Sequence, residues 1–167
     1  MKYSIYYESK TGNTKLLAEK AYEILKKDIV NFEEYKGNYI DYNEDIIIVG
    51  FWTDKGGATD NIKELLSKIE NKKIILFGTA GFMSDKEYYE KIINNVKEDI
   101  NESCEVIDYF MCQGKMGIGI RKRYEKSLET NPDDENIKVM IKNFDNALSH
   151  PDEEDLKAFE GLLTKYM

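Results

Sequence analysis

A short apolar segment, Lys2 to Tyr7, runs almost directly into Ser9-Lys10-Thr11-Gly12-Asn13-Thr14, and a helical pattern opens behind it. Leu16, Leu17, Ala21, Ile24 and Leu25 fall on one stripe of that helix. A strand that passes so abruptly into a helix begins a crossover unit, which predicts that the next strand returns parallel to the first. The connecting hexapeptide is suited to an anion. A turn on Gly12 lets backbone approach a ligand closely, and the hydroxyls of Ser9, Thr11 and Thr14 can donate to phosphate oxygens. The helix, from about Asn13, aims its unpaired N–H groups and positive dipole end at the same place. A Walker loop would need Gly-Lys-Ser/Thr after a first glycine, and a dinucleotide loop three spaced glycines; this segment has one glycine and three hydroxyls. The competing reading is an ordinary strand–helix turn with Asn13 or Thr11 as N-cap.

The rest of the chain keeps the same alternation. Further apolar runs at Ile29–Phe32, Asp45–Trp52, Lys72–Gly78 and Glu105–Cys112 are mostly continuous rather than alternating, as for parallel strands covered on both faces. Helical stripes lie between them at Ile62, Leu65, Leu66 and Ile69, and at Tyr88, Tyr89, Ile92, Ile93 and Val96. Residues 33–43 are short, polar and tyrosine-rich, and read as a reduced connection with room for one helical turn. The expectation is a single α/β domain over residues 1–167, with a core to residue 114 and a helical extension over 115–167. Two helices are expected in that extension, one starting at Asn131-Pro132-Asp133-Asp134 and one at His150-Pro151-Asp152-Glu153. They either cover the sheet or present a docking face.

Composition removes several classes. With 32 acidic and 24 basic residues the formal charge is −8, opposite to what phosphate neutralisation on nucleic acid requires. No apolar run approaches a membrane span and no signal-peptide pattern is present, so the expectation is a soluble cytoplasmic protein, most simply a monomer. Cys104 and Cys112 lie near the two ends of one expected strand, about 26 Å apart, which excludes a disulfide between them. A single histidine, His150, leaves no basis for a His/Cys metal cluster.

The N-terminal loop resembles that of the flavodoxin family, which reads Ser/Thr-x-Thr-Gly-x-Thr. Ile5, Tyr6, Tyr7, Ser9, Gly12, Thr14 and Ala18 match the family's longer signature, while Ala21 replaces its usual Ile, Leu or Val. The resemblance implies a three-layer flavodoxin-like sandwich with a five-stranded parallel sheet of order 2-1-3-4-5 and FMN as cofactor. It places the phosphate on Ser9, Lys10, Thr11, Gly12, Asn13 and Thr14, with the ligand beyond the carboxyl ends of the first and third strands. Two further loops would then hold the flavin ring. Trp52-Thr53-Asp54-Lys55-Gly56-Gly57 offers an aromatic plane and glycine peptides; Trp52 is either a flavin contact or a core residue at the strand end. Lys55 either faces solvent or faces the ring, where a charge at about 8 Å would favour reduction by on the order of 90 mV. Thr79-Ala80-Gly81-Phe82 is expected on the other side, with Gly81 permitting close approach and Phe82 available to stack. Gln113-Gly114 is a candidate for the rim.

Lys115, Arg121, Lys122, Arg123 and Lys126 form the only basic concentration in the chain, either a solvated helix face or an anion-recognition cluster. No Ser-His-Asp or Cys-His set accompanies the loops, so any chemistry belongs to a bound cofactor. Phrases such as Gly50-Phe51-Trp52-Thr53-Asp54-Lys55-Gly56 and Leu76-Phe77-Gly78-Thr79-Ala80-Gly81 resemble flavodoxin-like subunits of bilirubin reduction systems. That likeness implies an electron carrier serving a partner reductase. The alternatives are an NAD(P)H-dependent FMN or quinone reductase and a flavin-free interaction subunit.

Overall fold

A computed structural model describes residues 1–167. Five strands, β1 (Tyr3–Tyr7), β2 (Ile29–Glu34), β3 (Ile46–Trp52), β4 (Lys73–Ala80) and β5 (Glu105–Gln113), form one sheet. Six helices follow in chain order: α1 (Asn13–Leu25), α2 (Asp60–Lys68), α3 (Lys86–Lys97), α4 (Ile118–Thr130), α5 (Glu135–Ala147) and α6 (Glu153–Leu163). Every strand pair is parallel and the order is β2-β1-β3-β4-β5, as the resemblance implies. The chain starts near the middle of the sheet, adds β2 on one side and then reverses, so the connections after β1 and β3 leave in opposite directions and open a crevice.

Period-two alternation of side chains lets β1, β3, β4 and β5 contribute to two cores, one on each face. Ile47, Val49 and Phe51 of β3 pack with Leu65 and Leu66 of α2 and Ile92, Ile93 and Val96 of α3. Ile46 and Ile48 pack with Leu17, Ala18 and Ala21 of α1 and Phe159 and Leu163 of α6. Burial on both faces is the reason β3 reads as an unbroken apolar run. Gly50 sits within it because a Cβ there would collide with the Phe77 ring.

Three local features differ from expectation. No helical turn forms between β2 and β3; instead Tyr35 and Ile40 are buried and fill the space of the missing crossover helix. The helix expected from Pro132 starts later, because Asp134 takes the cap by accepting from Asn136 N at 3.0 Å and Ile137 N at 3.2 Å. The segment after β5 also carries a third helix, α4, that pairs with α5 as a hairpin. α6, which opens with a reciprocal capping box between Asp152 and Asp155, covers the sheet face. No helix is long and apolar enough to cross a membrane.

Phe159 anchors α6 to the sheet, with ring centroids 5.2 Å from Phe77 and 5.0 Å from Phe110. Phe159→Ala is expected to destabilise the whole domain by about 3–5 kcal/mol, read from the urea midpoint. A single cooperative transition shifted by that amount would show that α6 belongs to the core.

Candidate functional site

The hexapeptide after β1 turns at Gly12, whose φ of +88° is accessible to glycine at little cost. α1 starts immediately after it and no side chain caps its first turn in the usual way. Ser9 Oγ accepts from Lys15 N at 3.2 Å, while the N–H groups of Gly12, Asn13 and Thr14 donate to nothing within the chain. Three adjacent free donors at the positive end of a helix form an anion cradle. The Ser9 hydroxyl proton remains available as a further donor, because its oxygen is the acceptor in the Lys15 contact.

Other polar groups of the loop also bond within the chain. Asn13 Nδ2 donates to Lys115 O at 2.8 Å and to Thr11 Oγ1 at 2.9 Å, and Thr11 Oγ1 donates to Lys115 O at 3.2 Å. Thr14 is fully buried, with its Oγ1 3.1 Å from Thr79 Oγ1. Thr11 and Asn13 therefore shape the loop by tying it to the chain beyond β5, and Thr14 ties it to β4. Lys10 is exposed and holds its ammonium 4.8 Å from the centre of the Trp52 ring. An exposed cation–π contact is worth only about 0.5–1 kcal/mol, so a flat ligand ring could displace it.

After β3, Thr53 N donates to Thr79 O at 2.9 Å, and Asp54 and Gly57 exchange two backbone bonds around Lys55 and Gly56. Both central residues have positive φ, +50° for Lys55 and +80° for Gly56, which makes a tight hairpin turn. Asn95 Nδ2 donates to Gly56 O at 2.8 Å and pins the turn to α3. Lys55 is exposed and Trp52 is half-buried. The buried Thr53 Oγ1 has no partner, an unmet requirement of the kind a bound polar ligand relieves. Glu8 accepts from Thr59 and from Asn61 Nδ2, which joins the first loop to the start of α2.

The loop after β4 carries Thr79 and Ala80 buried, Gly81 half-buried and Phe82 at 48 % exposure, edge-on to Tyr88. Burial, reinforced by Asp85, raises the Tyr88 phenol pKa. Gly81 is also required by its own neighbours: a Cβ there would strike Met116, so the glycine makes room for the chain after β5. Gln113 is likewise not a free rim amide. It is buried, and its Nε2 donates to Gly81 O at 3.4 Å and to Asn143 Oδ1 at 3.1 Å. Gly114 similarly leaves space for the Asn13 side chain.

The structure thus gathers all three predicted loops at the carboxyl ends of β1, β3 and β4. Sequence reasoning did not find the part played by Met116 and Asn143, which lie outside any motif. The one available signal was Gly81, whose need becomes evident only when Met116 is opposite. Of the basic cluster, Arg121 is committed to the α4–α5 hairpin through Glu125 at 3.1 Å, Asp145 at 3.4 Å and the Phe144 ring.

A model of the flavodoxin domain matches residues 4–163. The flavodoxin-like domain-containing protein BilS of Clostridium symbiosum is 44 % identical over 98 % of this chain and 94 % of its own. This chain belongs to the flavodoxin family. BilS of Clostridioides difficile is 39 % identical over 93 % of this chain and 90 % of its own. Oxidised flavodoxin 2 from Bacillus cereus shares the fold across 98 % of this chain and 96 % of its own, with a TM-score of 0.56 at 17 % identity. A Lactobacillus acidophilus flavoprotein solved in complex with FMN covers 66 % of this chain and 93 % of its own, with a TM-score of 0.54 at 21 % identity.

At the left-handed Gly12 turn a side chain is unfavourable. Gly12→Ala meets no neighbour within 4 Å, so its cost is conformational alone. The expected loss is about 1–2 kcal/mol of stability, measured by urea unfolding.

Proposed function

We propose that this protein binds FMN and carries electrons to a partner reductase. The observation that carries the reading is the row of free N–H donors at Gly12, Asn13 and Thr14, with the Ser9 hydroxyl beside it, at the switch point of the sheet. Those donors suit the dianionic phosphate of FMN, and the Trp52 and Phe82 loops would supply the contacts to its ring. Bound FMN would supply the redox chemistry; the chain supplies the cradle, the ring contacts and the turn held by Asn95. The family match, the likeness to the BilS proteins and the FMN complex of the Lactobacillus flavoprotein support this assignment. The resemblance to subunits of bilirubin reduction systems extends the proposal to a tetrapyrrole as the final acceptor.

A reductase that takes hydride from NAD(P)H would need a nucleotide site, and the arginine cluster was its candidate. Arg121 is ion-paired with Glu125 and Asp145 within the α4–α5 hairpin, which weakens that alternative. On the carrier reading, anaerobic mixing of the FMN-loaded protein with NADPH leaves the oxidised flavin spectrum unchanged through a stopped-flow trace. Rapid stoichiometric bleaching would favour the reductase instead.

Ser9→Ala tests the cradle with little disturbance to the core, since Ser9 is only half-buried. Loss of one hydrogen bond to a charged phosphate is expected to weaken FMN binding by about 1.5–3 kcal/mol in a fluorescence titration. An unchanged Kd would contradict the assignment of this loop to the phosphate.

A further inference from the structure

The α4–α5 hairpin lies outside the sandwich, yet one of its side chains reaches the candidate site. Asn143 of α5 donates from Nδ2 to Gly81 O at 2.8 Å, while its Oδ1 accepts from Gln113 Nε2 at 3.1 Å. Gln113 also donates to Gly81 O, so two amides converge on one carbonyl and on each other. Met116 packs into the space left by the missing Gly81 side chain. Gly114 N donates to Ala80 O at 3.1 Å, adding a backbone tie to the same loop.

This arrangement fixes the direction of a peptide. The Gly81–Phe82 bond is trans, since the chain's one cis peptide is at His150–Pro151. In a planar trans peptide the C=O and the following N–H point in opposite directions. With Gly81 O turned toward α5, the Phe82 N–H is directed away from α5, and it donates to no atom of the chain. The loop therefore presents a free backbone donor whose orientation is set from behind by a helix some sixty residues further on, the separation being 62.

We infer that Asn143 is a positioning residue for the cofactor: by holding the Gly81 carbonyl it aims the Phe82 N–H at the bound flavin. The inference rests on the FMN reading above. It makes the hairpin a working part of the site, and it gives the amide pair Gln113–Asn143 a role beyond fastening α5 to the loop after β4.

The test compares wild type with Asn143→Leu, which keeps the size of the side chain and removes its amide. FMN affinity is measured by fluorescence titration, the flavin midpoint potential by anaerobic titration against a reference dye, and folding by urea unfolding of the FMN-free protein. A neutral hydrogen bond that orders the loop predicts a three- to tenfold weaker Kd, roughly, in the variant. It also predicts a more negative potential, because a well-aimed donor stabilises the more electron-rich reduced ring. A variant with wild-type Kd and potential overturns the inference, as does a weaker Kd with no change in potential, which would assign Asn143 to structure alone. If Asn143→Leu does not fold, Asn143→Ser, smaller and polar on a half-buried helix face, is measured in the same way and judged by the same outcomes. Failure of the wild type to bind FMN would instead reject the FMN reading itself.

Discussion

The Lys115 carbonyl oxygen is the contact on which the shape of the site depends. It accepts from Thr11 Oγ1 and Asn13 Nδ2, and in doing so holds the loop after β1 against the chain leaving β5. The cap position of α1 falls on Gly12, which has no side chain to accept from the helix, and its first N–H groups stay free. The anion cradle is thus left open by the glycine at the cap position, while the Lys115 contacts hold its loop in place. The same short segment bonds Ala80 through Gly114 and Gly81 through Gln113, so residues 113–116 tie the first and fourth loops together.

That connection changes how the length of the chain after β5 is understood. α6 completes the sandwich by covering one sheet face, and the α4–α5 hairpin is added between β5 and α6 with Asn143 turned toward Gly81. Arg121, held between Glu125, Asp145 and Phe144, fastens the two helices of the hairpin to each other. Stiffness is built in elsewhere by similar means. The glycine turn after β3 is held by its own paired backbone bonds and by Asn95.

Much of the fold was legible because the signals were local or periodic. Unbroken apolar runs such as Ile46–Phe51 reflect two-sided burial, and Gly12 among hydroxyls at a strand end marked the turn that takes positive φ. The strand order and the three convergent loops came with the family resemblance and agree with the structure. What the sequence did not disclose depends on contacts between distant residues. Gly81 and Gly114 were visible as glycines, but their reasons, Met116 and Asn13, lie 35 and 101 positions away by subtraction of residue numbers. The absence of a helix over residues 35–45 followed from Tyr35 and Ile40 filling the core, which polarity alone did not indicate.

The most direct measurement is an absorption titration of the purified FMN-free protein with FMN, carried to one equivalent and followed by stepwise anaerobic reduction. The account predicts saturation at one FMN per chain, perturbed flavin bands, and reduction in two resolved one-electron steps. No spectral change on adding FMN would contradict it at its centre, because the free N–H groups of Gly12, Asn13 and Thr14 would then be cradling something other than a flavin phosphate.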